Sequence, residues 1–200
     1  MTVPFDYPDV PHVRRHGPQG YAGYSSYRPW LRDEFAFRCV YCLLREQWGR
    51  FRGVFDIDHF QSIAHHPERG TEYDNLLYTC ATCNASKGGV SIPDPCEVLG
   101  PTRIDVLEDG SIDAKTPEAR QLVHILGLDA PDSVEFRMLW INIVALALRY
   151  DQPLSRRLLG YPEELPDLRE LRPPGGNSRP RGIEESHFAR REQGRLPDTY

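Results

Sequence analysis

Hydrophobic and polar residues alternate between positions 51 and 60, where the chain reads Phe-Arg-Gly-Val-Phe-Asp-Ile-Asp-His-Phe. This alternation predicts a β-strand that carries His59 and apolar side chains on one face, and Asp56 and Asp58 on the other. After this strand, the pattern predicts a loop over 61–74, a short second element over 75–79, and a helix that carries Cys83 to Lys87 and ends at Gly88.

The second half of the chain predicts a hairpin followed by helices. Residues 104–112 form two short apolar runs around an Asp-Gly turn. Thr116 suits the N-cap and Pro117 the first position of a helix that runs to about Leu126. Ser133 is expected to cap a longer helix that ends at Tyr150. That helix has a broad apolar face, which is either the core of a C-terminal subdomain or a docking face for a partner, and which comprises Leu139, Trp140, Ile143, Val144, Ala147 and Leu148.

Composition and charge narrow the class of protein. The apolar content of 40% supports a modest core, and no stretch approaches the ~20 apolar residues of a membrane span. The N-terminus has no charged-then-apolar signal pattern, so we expect a cytoplasmic protein without membrane contact. The net charge of −5 is segregated, because residues 11–55 hold eight arginines against three acids, whereas residues 101–136 hold three basic groups against eight acids. The basic segment is compatible with phosphate contacts.

Four of the five cysteines form two C-x2-C pairs, Cys39 with Cys42 and Cys80 with Cys83. Paired thiolates at this spacing can close a tetrahedral zinc site without an open position, and such a site is structural. Disulfides or a redox-active pair are the alternatives, but metal binding suits a reducing compartment better. Cys96 is left over as an ordinary thiol.

Each C-x2-C pair is called a knuckle below. Polar residues with possible catalytic roles lie between and beside the two knuckles. They are Asp58 and His59 on the predicted strand, Asn75 before the second element, and Asn84 directly after Cys83. Their order and spacing, over roughly residues 36–90, resemble the HNH nuclease family, particularly members whose metal motif lies on a four-cysteine zinc site. The resemblance implies a ββα-metal motif of strand, loop, strand and helix.

The resemblance also implies a role for each residue. His59 would be the general base that activates water, and Asp58 and Asn84 would hold a catalytic Mg2+ or Mn2+ through oxygen ligands. Asn75 would orient the loop and the base through backbone hydrogen bonds. Two further residues, Arg38 and Lys87, lie near the motif in sequence and are candidates for phosphate contact.

We therefore expect an α+β protein in which an HNH motif on a four-cysteine zinc site precedes a β-hairpin and a mainly helical C-terminal region. The expected organisation is an extended arm over 1–30, an HNH nuclease domain over 31–92, a hairpin and helical subdomain over 93–170, and a disordered tail over 171–200. The arm's tyrosines and arginines either follow nucleic acid or pin the arm onto the domain.

The expected function is metal-dependent hydrolysis of DNA phosphodiester bonds. A catalytically silent zinc-binding module for nucleic acid or protein is one alternative, and an HNH nuclease that acts on RNA is another. Small HNH proteins resemble the nuclease subunits of bacterial antiphage defence systems, in which a partner, often an ATPase, supplies targeting. A targeting partner is therefore expected by analogy.

Overall fold

The computed structural model describes residues 4–8, 10–48, 54–100 and 102–200. Both helices and strands are present, so the α+β class predicted from the sequence is confirmed. The helices are α1 (Arg28–Glu34), α2 (Ala81–Lys87), α3 (Pro95–Val98), α4 (Pro117–Ile125), α5 (Pro131–Tyr150), α6 (Gln152–Leu159), α7 (Arg181–Glu184) and α8 (His187–Glu192). The strands are β1 (Phe55–His59), β2 (Leu76–Cys80), β3 (Ile104–Val106) and β4 (Ile112–Ala114).

The first two strands and the helix after them form the unit that positions the polar residues. Strands β1 and β2 pair antiparallel, with Phe55 opposite Cys80 and His59 opposite Leu76. Helix α2 packs against both strands. It begins where the Cys80 sulfur accepts a hydrogen bond from the amide of Cys83, and it ends at Gly88, whose φ of +53° favours glycine. The predicted order of strand, loop, strand and helix is therefore present.

The hydrophobic core lies around this unit and against α1, β3 and α4. Burying apolar surface there supplies most of the folding free energy. Its most deeply buried members are Trp30, Tyr27, Tyr41, Phe5, Phe37, Leu31, Leu76, Leu77, Ile104, Leu122 and Leu168.

The predicted hairpin is present as β3 and β4, and the first C-terminal helix begins as expected, with the Thr116 hydroxyl accepting from the amide of Ala119. The predicted cap of the long helix was wrong. Ala130 occupies the N-cap and Pro131 the first helical position, while the Ser133 hydroxyl donates to the carbonyl of Gly127. Residues 49 and 51–53 of the predicted turn and strand lie outside the described residues.

The last thirty residues differ from the predicted disordered tail. They contain α7 and α8, and they pack on the N-terminal arm through polar contacts. Asn177 accepts from the amide of Gly17, and Asp33 accepts from both the amide and the ring of His187. Low apolar content suggested disorder, whereas buried hydrogen bonds hold the segment in place. Among the described residues, no helix is long and apolar enough to cross a membrane.

Candidate metal centre and adjoining polar cavity

The four cysteines of the two knuckles converge on one point. The sulfurs of Cys39, Cys42, Cys80 and Cys83 all lie within 4.8 Å of one another, and all four thiols are free. The Cys42 and Cys80 sulfurs are 3.7 Å apart. A tetrahedral site with Zn–S bonds of about 2.3 Å places its sulfurs about 3.8 Å apart, so this spacing fits a zinc ion. A disulfide requires about 2.05 Å.

The surroundings of the sulfurs also suit a metal site. The amide of Cys83 donates to the Cys80 sulfur, and the Thr79 hydroxyl lies 3.4 Å from the Cys39 sulfur. Hydrogen bonding with the Cys39 sulfur raises the pKa of both Cys42 and Cys83, and charge repulsion from the Cys39 thiolate adds to this effect. A divalent cation removes this repulsion, so the donor set fits the structural zinc predicted from the spacing.

A polar cavity of about 240 Å3 is lined by residues of β1 and α2. It brings together three of the predicted catalytic residues, Asp58, His59 and Asn84, and it also holds Lys87. The remaining lining residues are Tyr24, Ile57, Ser62, Ile63 and Gly88.

The imidazole of His59 is fixed in one orientation at this cavity. Its Nε2 lies 2.9 Å from the carbonyl oxygen of Gly70, and the Tyr24 ring packs edge-on against it with centroids 4.9 Å apart. A carbonyl oxygen can only accept, so Nε2 carries the proton and Nδ1 has a free lone pair. Among the described residues, Nδ1 has no hydrogen-bond partner. This tautomer is the one that a general base requires.

Asn75 ties together the two ends of the loop that supplies the Gly70 carbonyl. Its side chain is fully buried, and its Oδ1 accepts from the amide of Gln61 at 2.8 Å. Its Nδ2 donates to the carbonyls of Gln61 and Arg69 at 3.0 and 3.2 Å. Because Arg69 precedes Gly70, these bonds fix the carbonyl that orients His59. Asn75 therefore contacts the loop and does not line the cavity.

Asp58 is 4% exposed and both of its oxygens are engaged. Oδ1 accepts from the Lys87 ammonium at 2.9 Å, and Oδ2 accepts from the Tyr41 hydroxyl at 2.6 Å. Burial raises the pKa of this carboxyl, although the Tyr41 hydrogen bond and the Lys87 charge act in the opposite direction. Each carboxylate oxygen has two lone pairs, so Asp58 keeps a position for a metal ligand bond.

Asn84 lies at the middle of α2, directly after Cys83 of the four-cysteine cluster. Its Nδ2 lies 3.4 Å from Oδ2 of Asp56, and its Oδ1 has no hydrogen-bond partner among the described residues. Asp58 and Asn84 line the same cavity, and Asp56 lies beside Asn84. Carboxylate and amide oxygens are the ligand types that Mg2+ prefers. Asp56 was not among the site residues predicted from the sequence.

Lys87 and Arg38, which were predicted to contact the substrate, make other contacts in the structure. Lys87 is 1% exposed and donates to Asp58 and to the carbonyl of His59, so its charge is internal. Arg38 lines a different cleft, and its guanidinium lies over the Tyr200 ring at 4.4 Å. Neither side chain is placed to hold phosphate as the sequence analysis expected.

Sequence reasoning missed two tyrosines of the site. Tyr41 stands between the cysteines of the first knuckle, and Tyr24 belongs to the predicted arm. Their residue types give no signal for these contacts, since long-range packing brings each ring to β1. The position of Tyr41 inside a metal knuckle was the one local clue.

No protein-family model matches the chain, and none of the curated proteins compared with it matches either.

Proposed function

We propose that this chain is a metal-dependent endonuclease of the HNH type that hydrolyses DNA phosphodiester bonds. The single observation that carries the proposal is the orientation of His59, whose Nε2 is held by the Gly70 carbonyl, which leaves Nδ1 free in a side chain that lines a cavity with Asp58 and Asn84. A catalytically silent zinc-binding module requires the four cysteines, but it does not require this orientation of His59.

In the proposed reaction, His59 Nδ1 takes a proton from water as the hydroxide oxygen bonds to phosphorus. The bond from phosphorus to the 3′ oxygen breaks on the opposite side, and the leaving oxygen takes a proton from solvent. General base catalysis of this kind contributes ~10²–10⁴-fold in rate. Asn75 acts through the loop, because it fixes the carbonyl that keeps the proton on Nε2.

The residues that would hold the catalytic metal are Asp58 and Asn84. Their oxygen donors suit Mg2+ or Mn2+ better than zinc, and the nearby carboxylate of Asp56 adds negative charge. A bound Mg2+ or Mn2+ would neutralise charge that develops on the leaving oxygen. The Lys87 ammonium, 2.9 Å from Oδ1 of Asp58, orients the carboxylate and lowers its pKa, against the larger effect of burial.

DNA is the proposed substrate because the HNH resemblance favours it and because an arginine-rich segment surrounds the first knuckle. A targeting partner such as an ATPase is part of the proposal by analogy with antiphage nucleases. RNA cleavage and a silent zinc module are the two outcomes that would replace the proposal.

The test is incubation of the purified protein with supercoiled plasmid and Mg2+ or Mn2+, beside the His59→Ala variant. His124→Ala is the matched control, because His124 lies exposed on α4, away from the cavity. We expect nicked or linear plasmid from the parent and from His124→Ala, and at least a ~10²-fold slower rate from His59→Ala. Equal rates from all three proteins would overturn the proposal, as would cleavage of RNA alone.

A further inference from the structure

Helix α5 presents a stripe of apolar side chains to solvent. Four members of the stripe are between 42% and 71% exposed, although the adjoining face of the helix packs on the protein through Val144 and Ala147. Along the chain the stripe residues are spaced three, four, three and four positions apart, which is the spacing of a coiled-coil seam. They are Phe136, Leu139, Ile143, Leu146 and Tyr150.

Three polar residues follow one edge of this stripe at equal intervals. Glu135 and Arg149 stand seven residues before and seven residues after Asn142, as the numbering shows. All three are exposed, and neither charged residue has an ion-pair partner among the described residues. The edge is therefore negative near one end, neutral at its centre and positive near the other end.

We propose that α5 pairs antiparallel with α5 of a second copy of this chain. A two-fold axis that passes beside Asn142 brings Glu135 opposite Arg149 of the second copy, and the symmetry makes this pair twice. The same axis brings Leu139 beside Leu146 of the second copy, and Phe136 beside its Tyr150. The two Asn142 amides then meet at the axis, where each can donate to the other.

The charge pattern selects this occupant and this direction. In a parallel pair of helices this edge would face the opposite edge of the partner's stripe, so Glu135 and Arg149 would not meet and neither charge would gain an ion pair. An antiparallel copy satisfies both charges, while an unrelated partner would have to reproduce the pattern by chance. The helix spans twenty residues, or about 30 Å, which is long enough for the five apolar layers.

The test measures mass by analytical ultracentrifugation from about 1 µM to about 100 µM protein, in the parent and in charge variants. We expect the parent to dimerise in this range. Glu135→Arg alone and Arg149→Glu alone should each weaken the dimer about tenfold, because each creates two like-charge pairs. An equimolar mixture of the two variants should dimerise as the parent does, since both cross-pairs then have opposite charges.

The apolar seam is tested by Leu146→Glu, with Leu107→Glu as the matched control. Both leucines are exposed, but Leu107 lies in the turn of the β3–β4 hairpin. Leu146→Glu should be monomeric and Leu107→Glu dimeric, and circular dichroism checks that both are folded. A parent that stays monomeric throughout the range overturns the proposal. A mixture of charge variants that does not recover the dimer overturns the antiparallel arrangement.

Discussion

The Tyr41 hydroxyl donates a 2.6 Å hydrogen bond to Oδ2 of Asp58, and Tyr41 stands between two cysteines of the metal centre. The Tyr41 carbonyl in turn accepts from the Tyr7 hydroxyl. The first knuckle therefore positions the carboxylate directly, and the second knuckle is followed in α2 by Asn84. In the proposed arrangement a structural zinc held by the four cysteines would also fix the positions of Asp58 and Asn84.

Removal of the Tyr41 hydroxyl should weaken the catalytic site without loss of the fold. In Tyr41→Phe, Asp58 loses one of the two contacts that orient it, and the ring still fills the core. We expect a ~10–100-fold loss of Mg2+-dependent cleavage or of apparent Mg2+ affinity, as is typical for residues that orient metal ligands. Plasmid cleavage over a Mg2+ titration measures this. Unchanged zinc content confirms that the knuckle is intact, and parental cleavage would contradict the positioning role.

Replacement of Asp58 should destabilise the protein as well as inactivate it. Asp58→Ala leaves the Lys87 ammonium 1% exposed and without its counter-ion, which costs about 3–5 kcal/mol in the free energy of unfolding. The double variant Asp58→Ala/Lys87→Met removes that unpaired charge and should recover much of the loss. Urea unfolding of the three proteins tests the pair. A double variant no more stable than Asp58→Ala would mean that water reaches Lys87.

Asn84→Ala should distinguish the proposed catalytic metal from the proposed structural zinc. Asn84 does not ligate zinc and its contact with Asp56 is long at 3.4 Å, so the variant should keep its fold and its zinc. We expect it to lose Mg2+-dependent cleavage, because soft thiolates and hard oxygens select different ions. The parent's products should carry 5′-phosphate and 3′-hydroxyl ends. Normal cleavage by Asn84→Ala, or 3′-phosphate ends, would count against the proposed ligand set.

The zinc prediction is tested on the cysteines themselves. The purified protein should contain about one zinc per chain, and Cys80→Ser should lose both the zinc and cooperative folding, since the ion joins two distant segments. Cys96→Ser is the matched control, because Cys96 lies outside the four-sulfur cluster. Elemental analysis and circular dichroism provide the two readouts. A folded parent without zinc would refute the assignment.

Acid should unfold the protein in a window set by two buried carboxylates. Burial alone would raise the pKa of Glu34, but the hydrogen bond from His12 and the charge of His16 hold it at about 2. Contacts with His16 and His187 likewise hold the pKa of Asp33 below its usual range, against the effect of burial.

A depressed folded-state pKa gives stability that is complete above the unfolded-state value and is lost as the pH falls through the folded-state value. For Glu34 the loss should run from about pH 4.5 to about pH 2 and amount to about 3 kcal/mol. Urea unfolding at several pH values measures it. Glu34→Gln should flatten this dependence, whereas Glu170→Gln, at an exposed position, should not.

Local pattern was enough to predict the strand, loop, strand and helix, because alternation, cysteine spacing and a glycine stop are all short-range signals. The convergence of the four cysteines also followed from spacing. The internal ion pair of Lys87 and Asp58 could not be predicted, since a lysine on a helix ordinarily faces water and only the tertiary structure closes over this one. Tyr24 and Tyr41 were also absent from the predicted site, because only the tertiary structure brings their rings to it.

The order of residues 171–200 was missed for a different reason. Their low apolar content argues against a packed core, yet Arg179 binds Asp74 through two parallel 3.0 Å hydrogen bonds and also donates to the carbonyl of His16. Composition measures what a segment can bury by itself, and it contains no information on polar partners supplied by the other end of the chain.

These end-to-end contacts have a kinetic consequence. The bond between Gly17 and Asn177 joins positions 160 residues apart, and the bond between Asp33 and His187 joins positions 154 apart. Loops of that length close slowly, and their closure precedes the gain from the contacts they allow. During synthesis, Asp33 therefore emerges from the ribosome long before His187 exists. The contacts of Gly17 and Asp33 can form only after the last helix has been synthesised. Refolding should therefore show a slow phase that is absent from a chain lacking residues 177–187.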